Sequence, residues 1–268
     1  MHYHYRSNDI RSDLKLLIAN GITTVRNMAE LDGQDQIAIR QKVASGEILG
    51  PNYYTTGPYL KSKQLRTKEE VTAVVKMHKE RGYDFLKIAD NLPLDIYLKL
   101  LEECDANKVQ IIGHSQRNLP LEFSLRIKSI EHIEEFLYLS DENNNPILKQ
   151  TKDGLNALAQ QLYESGIYIG TTLVGFDFIK NCLHDEKFTA FRQDSLVKYL
   201  AKKEREDFLT EGNDYRKLKD LEFDGVKAPI PFETYFSWMK DFSKILSDNK
   251  VSLLTGSDTY GLVIIWFS

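Results

Sequence analysis

The chain has 268 residues, of which 42% are hydrophobic and 28% charged, a composition typical of a globular protein with a sizeable core. The net charge of -4 and the lack of a long basic run give no electrostatic support for nucleic-acid binding, and no run of about 18 apolar residues indicates a membrane span. The two cysteines, Cys104 and Cys182, form no C-x-x-C pair, which argues against a disulfide framework or a cysteine-based zinc site.

Helical and strand patterns alternate along the chain. Helical spacing and start or stop signals predict helices at residues 13–19, 34–45, 67–81, 94–107, 119–127, 153–165 and 232–247, and the one at 34–45 is polar. Short β-branched or apolar runs predict strands at residues 1–5, 22–25, 53–56, 84–88, 109–114, 129–132, 167–172 and 251–258. The charged stretch from Lys180 to Lys227 is expected to be a solvated helical insertion, with a lid or an oligomer contact as the alternatives.

This alternation predicts an α/β fold with a parallel sheet, and eight strands are the number that closes a (β/α)₈ TIM-type barrel. We therefore expect one barrel domain over residues 1–268, with the insertion at about 180–227. In such barrels the functional side chains lie at the carboxyl ends of the strands. The polar residues at the ends of the predicted strands are His2, His4, Lys87, His114, His132 and Asp258.

The opening His2-x-His4 pair is the first candidate for metal binding. Side chains two apart in a strand point to the same face, and each neutral imidazole offers one ring nitrogen to a divalent metal. A single histidine is more often a core or loop residue than a ligand, but four of them with a lysine and an aspartate in barrel order favour a metal site. Plainer roles stay open for the others: Lys87 in an ion pair with Asp84 or Asp90, and Asp258 at the start of a loop.

The sequence resembles the amidohydrolase superfamily, and within it the imidazolonepropionase-like and dipeptidase-like (prolidase-type) branch. Seven segments carry the resemblance, at residues 2–4, 17–27, 45–51, 82–88, 113–114, 129–132 and 254–259. The segment 17–27 reads LIANGITTVRN and the last reads LTGSDT. Each is weak alone, but together they are specific.

The resemblance implies a binuclear metal hydrolase. Its ligands would be His2, His4 and Asp258 on one divalent ion, His114 and His132 on the other, and Lys87 between them as a carbamate. Imidazole and carboxylate ligands favour zinc. A metal-bound hydroxide would attack the carbonyl of an amide or peptide-like C–N bond, and Asp258 would carry a proton to the leaving amine. Glu131 and Glu134 beside His132 are either hydrogen-bond acceptors for an imidazole or surface charges.

The substrate is expected to be a small molecule or dipeptide-like compound. Tyr59, Lys61 and Arg117 follow predicted strands, and Lys61 or Arg117 is placed to pair with a substrate carboxylate or to act as an ordinary surface charge. A mononuclear deaminase of the same superfamily, without a bridging lysine, is the alternative activity.

The resemblance also predicts that the chain is truncated at both ends. Relatives carry a small β-sandwich and an eighth barrel helix, whereas this sequence begins one residue before His2 and ends at Ser268. An incomplete barrel, with only a remnant of its first strand, is therefore expected. An inactive or partner-dependent fragment is the corresponding non-enzymatic alternative.

Overall fold

The computed structural model describes residues 1–5, 9–200 and 202–259. The strands are β1 His2–Tyr3, β2 Thr24–Asn27, β3 Asn52–Thr55, β4 Leu86–Ile88, β5 Ile111–Gly113, β6 Ser129–Glu131, β7 Tyr168–Gly170, β8 Glu222–Phe223, β9 Val226–Lys227, β10 Ser252–Leu254 and β11 Gly256–Thr259. The α-helices are α1 Ile10–Ala19, α2 Gln36–Ala44, α3 Lys68–Arg81, α4 Leu94–Asn107, α5 Leu121–Ser124, α6 Lys152–Ser165, α7 Leu173–Cys182, α8 Asp185–Gln193, α9 Lys202–Phe208 and α10 Pro229–Asp248. The helices within the described ranges include none long and apolar enough to cross a membrane.

The strands form two parallel sheets, ordered β11-β1-β2-β3 and β10-β7-β6-β5-β4, and an antiparallel pair β8-β9. At one side the two sheets are joined by hydrogen bonds from the Asp84 and Phe85 N–H groups to the Thr55 carbonyl and by a parallel bridge between Leu60 and Ile88. At the other side β10 and β11 are consecutive in the chain and are separated by Thr255. Parallel strands joined by helices confirm the α/β prediction.

A closed (β/α)₈ barrel, in contrast, is not formed by the residues that the structure describes. The single strand predicted at 251–258 is wrong, because the chain breaks at Thr255 into β10 and β11, which pair in different sheets. Residues 261–268, which end the sequence, lie outside the described residues.

Local sequence signals account well for the long helices. In α3 the Thr67 side chain accepts a hydrogen bond from the Glu70 N–H while the Glu70 carboxylate accepts one from the Thr67 N–H, which is a capping box. Gly82 ends this helix at φ 77°, a left-handed conformation that glycine adopts without steric cost. The helix predicted at 119–127 is shorter than expected, since the Ser124 hydroxyl accepts a hydrogen bond from the Gln116 N–H and ties the turn to the loop after β5.

The largest apolar core lies between the five-stranded sheet and helices α3, α4, α6 and α10. Leu86, Ile130 and Ile169 from the strands are fully buried in it, as are Leu100 of α4 and Phe242 of α10. Burying a side chain of this size contributes about 1.5–3 kcal/mol relative to exposure. This packing holds in place the strands whose carboxyl ends carry the polar residues.

The segment predicted as a solvated insertion has an apolar core of its own. Its buried members Cys182, Phe188, Leu200 and Leu209 lie in the insertion, and Phe178 from the first part of α7 packs with them. Helices α7 and α8 pack here, although the sequence analysis predicted neither of them separately. The insertion is therefore a packed subdomain-like layer beside β11 rather than only a solvated helix.

Candidate active site

The six predicted polar residues lie at or just after the ends of parallel strands. His2 is in β1 and Lys87 in β4, while Asp258 is in β11. His4 follows β1, His114 follows β5 and His132 follows β6. Because the carboxyl ends of parallel strands meet at one edge of a sheet, residues more than 250 positions apart in sequence converge here.

Three donor atoms form an almost equilateral triangle. The Nε2 atoms of His2 and His4 are 3.1 Å apart, and each is 3.1 Å from the Asp258 Oδ1. In a tetrahedral zinc site with ligands at about 2.0–2.1 Å, the ligand atoms are separated by roughly 3.4 Å. The triangle is therefore of a size that fits a divalent metal with nitrogen and carboxylate ligands.

His132 extends this cluster. Its Nδ1 is 3.9 Å from the Asp258 Oδ2, and its ring centroid is 4.8 Å from that of His2 and 5.1 Å from that of His114. Donor atoms of His2, His132 and Asp258 all lie within 4.8 Å of one another. The imidazoles of His2, His4, His132 and His114 thus form a continuous group, with His114 at its more exposed rim.

Lys87 is buried beside these rings. Its side chain lies in the fully buried strand β4, and its Nζ is 5.7 Å from the centre of the Tyr59 ring. Burial, with a smaller contribution from the charge of Lys87, lowers the pKa of His4 to about 3. Burial likewise holds the pKa of His132 well below its usual range, and Lys87 is again among the contributing charges. Both imidazoles are therefore neutral at physiological pH, the form that ligates metals.

Asp258 is an anion in this site. Burial would raise the pKa of its carboxyl, but its electrostatic interactions with His132 and His2 and its side-chain contacts with His2 and His4 outweigh that effect and hold the pKa well below its usual range. Its backbone has φ 50°, which is unusual for a residue with a side chain. His132 also has a positive φ, of 80°. Strained backbone of this kind is held by its surroundings and is frequent where side chains are aimed into a functional site.

Glu131 orients His2 from behind. Its Oε2 lies 2.9 Å from the His2 Nδ1, so that Nδ1 carries the proton and Nε2 faces the site. Arg26 contacts both oxygens of Glu131, at 2.9 and 3.2 Å, and the Ser129 hydroxyl donates to it at 2.6 Å. Burial would raise the pKa of Glu131, but the bonds to His2 and the charge of Arg26 dominate and keep it well below its usual range.

Glu135 has the same relation to His114. Its Oε1 is 3.0 Å from the His114 Nδ1, and Arg117 donates two hydrogen bonds to it, at 2.9 and 2.6 Å. Burial opposes ionisation, but bonds from His114 and Arg117 bring the pKa of Glu135 to about 2. His132 is held differently, with its Nδ1 3.0 Å from the Thr172 hydroxyl.

The orienting residues were only partly visible in the sequence. For Glu131 the sequence left open whether it accepts a hydrogen bond from an imidazole or is a surface charge. Arg26, Glu135 and Thr172 were not predicted to contribute to the site. Glu135 lies three residues after His132 yet contacts His114, so sequence spacing alone points to the wrong histidine. Glu134, the other undecided carboxylate, has a buried Oε2 that accepts no hydrogen bond from the described residues.

The candidate substrate-binding residues have different surroundings. Tyr59 lies at the site, with its ring edge-to-face against His4 at 6.5 Å. Lys61 is exposed, with its Nζ 5.5 Å from the Tyr59 ring centre. Arg117 is held by Glu135 and lies 4.1 Å from the ring of Tyr138. The substrate roles of these three residues remain predictions.

Solved structures share this fold, although no protein-family model matches the chain and no curated protein matches its sequence. Bottromycin amidohydrolase superposes with a TM-score of 0.67 at 16% identity, over 92% of this chain and 55% of that one. An Xaa-Pro dipeptidase with bound methionine in its active site gives 0.56 at 12% identity, over 100% and 68%. The ochratoxinase of A. niger gives 0.54 at 14% identity, over 94% and 56%.

These neighbours are members of the amidohydrolase superfamily, and the chain has their fold, as the sequence resemblance predicted. It spans 55% of the length of bottromycin amidohydrolase and 56% of that of the ochratoxinase. At these identities the similarity establishes architecture, and activity has to be argued from the site.

Proposed function

We propose that the chain hydrolyses an amide or peptide-like C–N bond of a small molecule with the help of divalent metal ions. The observation that carries this proposal is the triangle of His2, His4 and Asp258 donor atoms with 3.1 Å edges, continued by His132 and His114. The names of two structural neighbours, an amidohydrolase and an Xaa-Pro dipeptidase, support the choice of bond.

In this proposal the donor set would hold two ions. His2, His4 and Asp258 would hold one, and His114 and His132 the other. Lys87 would bridge them as a carbamate, formed when its neutral amine adds to carbon dioxide and loses a proton. Its burial among imidazoles supports this modification, because a carbamate replaces an ammonium that two cations would repel. Bound divalent ions supply a water of lowered pKa and polarise a carbonyl oxygen.

The residues of the chain supply proton transfer and orientation. Asp258 is ionised at neutral pH and lies at the centre of the donor group, so that it can accept a proton from the attacking water. The water oxygen adds to the carbonyl carbon, Asp258 delivers the proton to the amide nitrogen, and the C–N bond breaks to give a carboxylic acid and an amine. Glu131 and Glu135 hold the rings of His2 and His114 during these steps.

The test measures metal and hydrolysis on the same samples. Protein supplied with zinc and bicarbonate is expected to bind about two metal equivalents and to hydrolyse members of a panel of dipeptides and N-acyl amino acids. Asp258→Asn is expected to lower kcat by at least about 100-fold, the usual worth of a general base. Asp214→Asn, a control at a side chain that is 92% exposed, should leave kcat unchanged. The proposal would be overturned if the unmodified chain bound less than one equivalent of metal. It would also be overturned if Asp258→Asn and Asp214→Asn had the same kcat.

A mononuclear deaminase is the second candidate, favoured by the three-residue group His2, His132 and Asp258. A single ion on these ligands would activate water for attack on an amino-substituted ring carbon with release of ammonia. In that case the chain binds one metal equivalent, releases ammonia from aminated heterocycles, and keeps both properties in Lys87→Ala. Loss of metal in Lys87→Ala would instead favour the binuclear site.

A further inference from the structure

A small apolar cavity adjoins the active site on the side of the insertion. Its walls are aromatic and aliphatic side chains of α7, α9 and the following segment, namely Phe176, Phe178, Ile179, Phe208 and Tyr215. The remaining lining residues are Thr172, Gly175, Ser257 and Asp258. A lid was one expectation for the insertion, but a substrate pocket was not, so this cavity has no role in the function as proposed so far.

Two lining residues belong to both the cavity and the site. Thr172 bonds the His132 Nδ1 at 3.0 Å, and Asp258 contacts the His2 Nε2 at 3.1 Å. A molecule with its reacting carbonyl beside Asp258 can therefore place the adjoining substituent at the mouth of this cavity.

Close packing sets the position of the wall. A Cβ atom on Gly175 would lie 2.8 Å from the Ser257 carbonyl oxygen and 3.9 Å from the Asp258 Cβ. The missing side chain lets α7 approach β11 closely, which holds Phe176, Phe178 and Ile179 at a fixed distance from the reacting carboxylate. A wall built on a packed helix defines a size limit better than a loop does.

The size and chemistry of the cavity indicate what it accepts. It encloses about 30 Å³, and one water needs about 10–15 Å³ of such space. The cavity volume is thus enough for a few heavy atoms but too small for an aromatic ring. Among the described residues that line the cavity, Asp258 alone is charged, and it lies at the site end.

We propose that this cavity is a specificity pocket for a short aliphatic group, such as the side chain of alanine or valine, on the carbon next to the cleaved amide. The inference rests on the proposed function for its chemical meaning, but the binding of such a group can be measured without turnover. Filling an apolar pocket of this kind typically changes discrimination by about 10-fold or more per added methylene.

The first experiment measures binding of unreacted amides by saturation-transfer NMR. Acetamide, isobutyramide and benzamide serve as probes of increasing bulk. Isobutyramide is expected to bind tightest to the unmodified chain, and benzamide weakest. In Ile179→Ala, which widens the cavity, the preference should move by about 10-fold towards benzamide. Ile230→Ala, a control at a residue that is 60% exposed, should keep the original order.

Ile179→Val provides a milder variant if the alanine variant unfolds, with the same direction of change and a smaller amplitude. The proposal is overturned if the three amides bind equally, or if Ile179→Ala and Ile230→Ala give the same order of affinities.

The second experiment repeats the comparison with turnover. Dipeptides that carry Gly, Ala, Val or Phe at the first position, followed by a constant Gly, are expected to give the highest kcat/KM for Ala or Val. Hydrolysis with no dependence on this side chain would refute the pocket while leaving the proposed function intact. Ordered amide binding without hydrolysis of any dipeptide would refute the proposed function while leaving the pocket intact.

Discussion

Replacement of Glu131 by glutamine tests the buried support of the site most directly. Glu131 is fully buried, and Arg26, whose side chain is 12% exposed, contacts both of its oxygens. The amide keeps the shape of the carboxylate but removes its charge, which leaves the Arg26 guanidinium without its counter-ion. Breaking a buried pair in this way costs about 3–5 kcal/mol. Because Arg26 retains some contact with solvent and the amide oxygen still accepts one bond, we expect about 3 kcal/mol.

Urea denaturation followed by circular dichroism gives the free energy of unfolding for this comparison. The matched control is Glu47→Gln, since Glu47 pairs with Arg11 and Lys42 at a side chain that is 51% exposed. Exposed pairs contribute about 0–1 kcal/mol, so this variant should unfold almost as the unmodified chain does. If the two variants differed by less than about 1 kcal/mol in the free energy of unfolding, the buried network would not support the fold as argued.

Loss of the Glu131 contact to His2 should also weaken metal binding about 10–100-fold.

Three further predictions concern the metal, the thiols and one strand contact. Lys87→Ala should lower the bound metal from about two equivalents to one or fewer by elemental analysis, and retention of two would exclude a bridging role. Burial raises the pKa of both Cys104 and Cys182 to about 12, so the thiolate fraction at pH 8 is on the order of 10⁻⁴ and Ellman's reagent should label neither thiol until urea unfolds the chain. Rapid labelling of the folded chain would contradict this. Gly113→Ala should lower the free energy of unfolding by about 3 kcal/mol or more, because the added Cβ would lie 2.0 Å from the Ile88 carbonyl oxygen in β4. The control Gly212→Ala should change the free energy of unfolding by no more than about 0.5 kcal/mol.

Features that depend on neighbouring residues were readable from the sequence. Thr67, Glu70 and Gly82 mark the ends of α3 through bonds that span a few positions, and α4 occupies the predicted range Leu94–Asn107. The shared face of His2 and His4 follows from the two-residue period of extended backbone. The strand-end positions of Lys87 and His114 likewise followed from short apolar runs bounded by turns.

The tertiary structure alone decided which partners meet. His2 contacts Glu131 across 129 positions, and Arg26 reaches the same carboxylate across 105. The split at Thr255 arises because β10 pairs with β7 in one sheet and β11 pairs with β1 in the other. The residues of this segment alone do not indicate this change of partner. The apolar core of the insertion and its cavity beside Asp258 arise from packing between distant segments. Helix caps and the alternation of side chains in a strand depend on residues close together in the sequence. The long-range contacts, in contrast, form only when the folded chain buries its apolar surface.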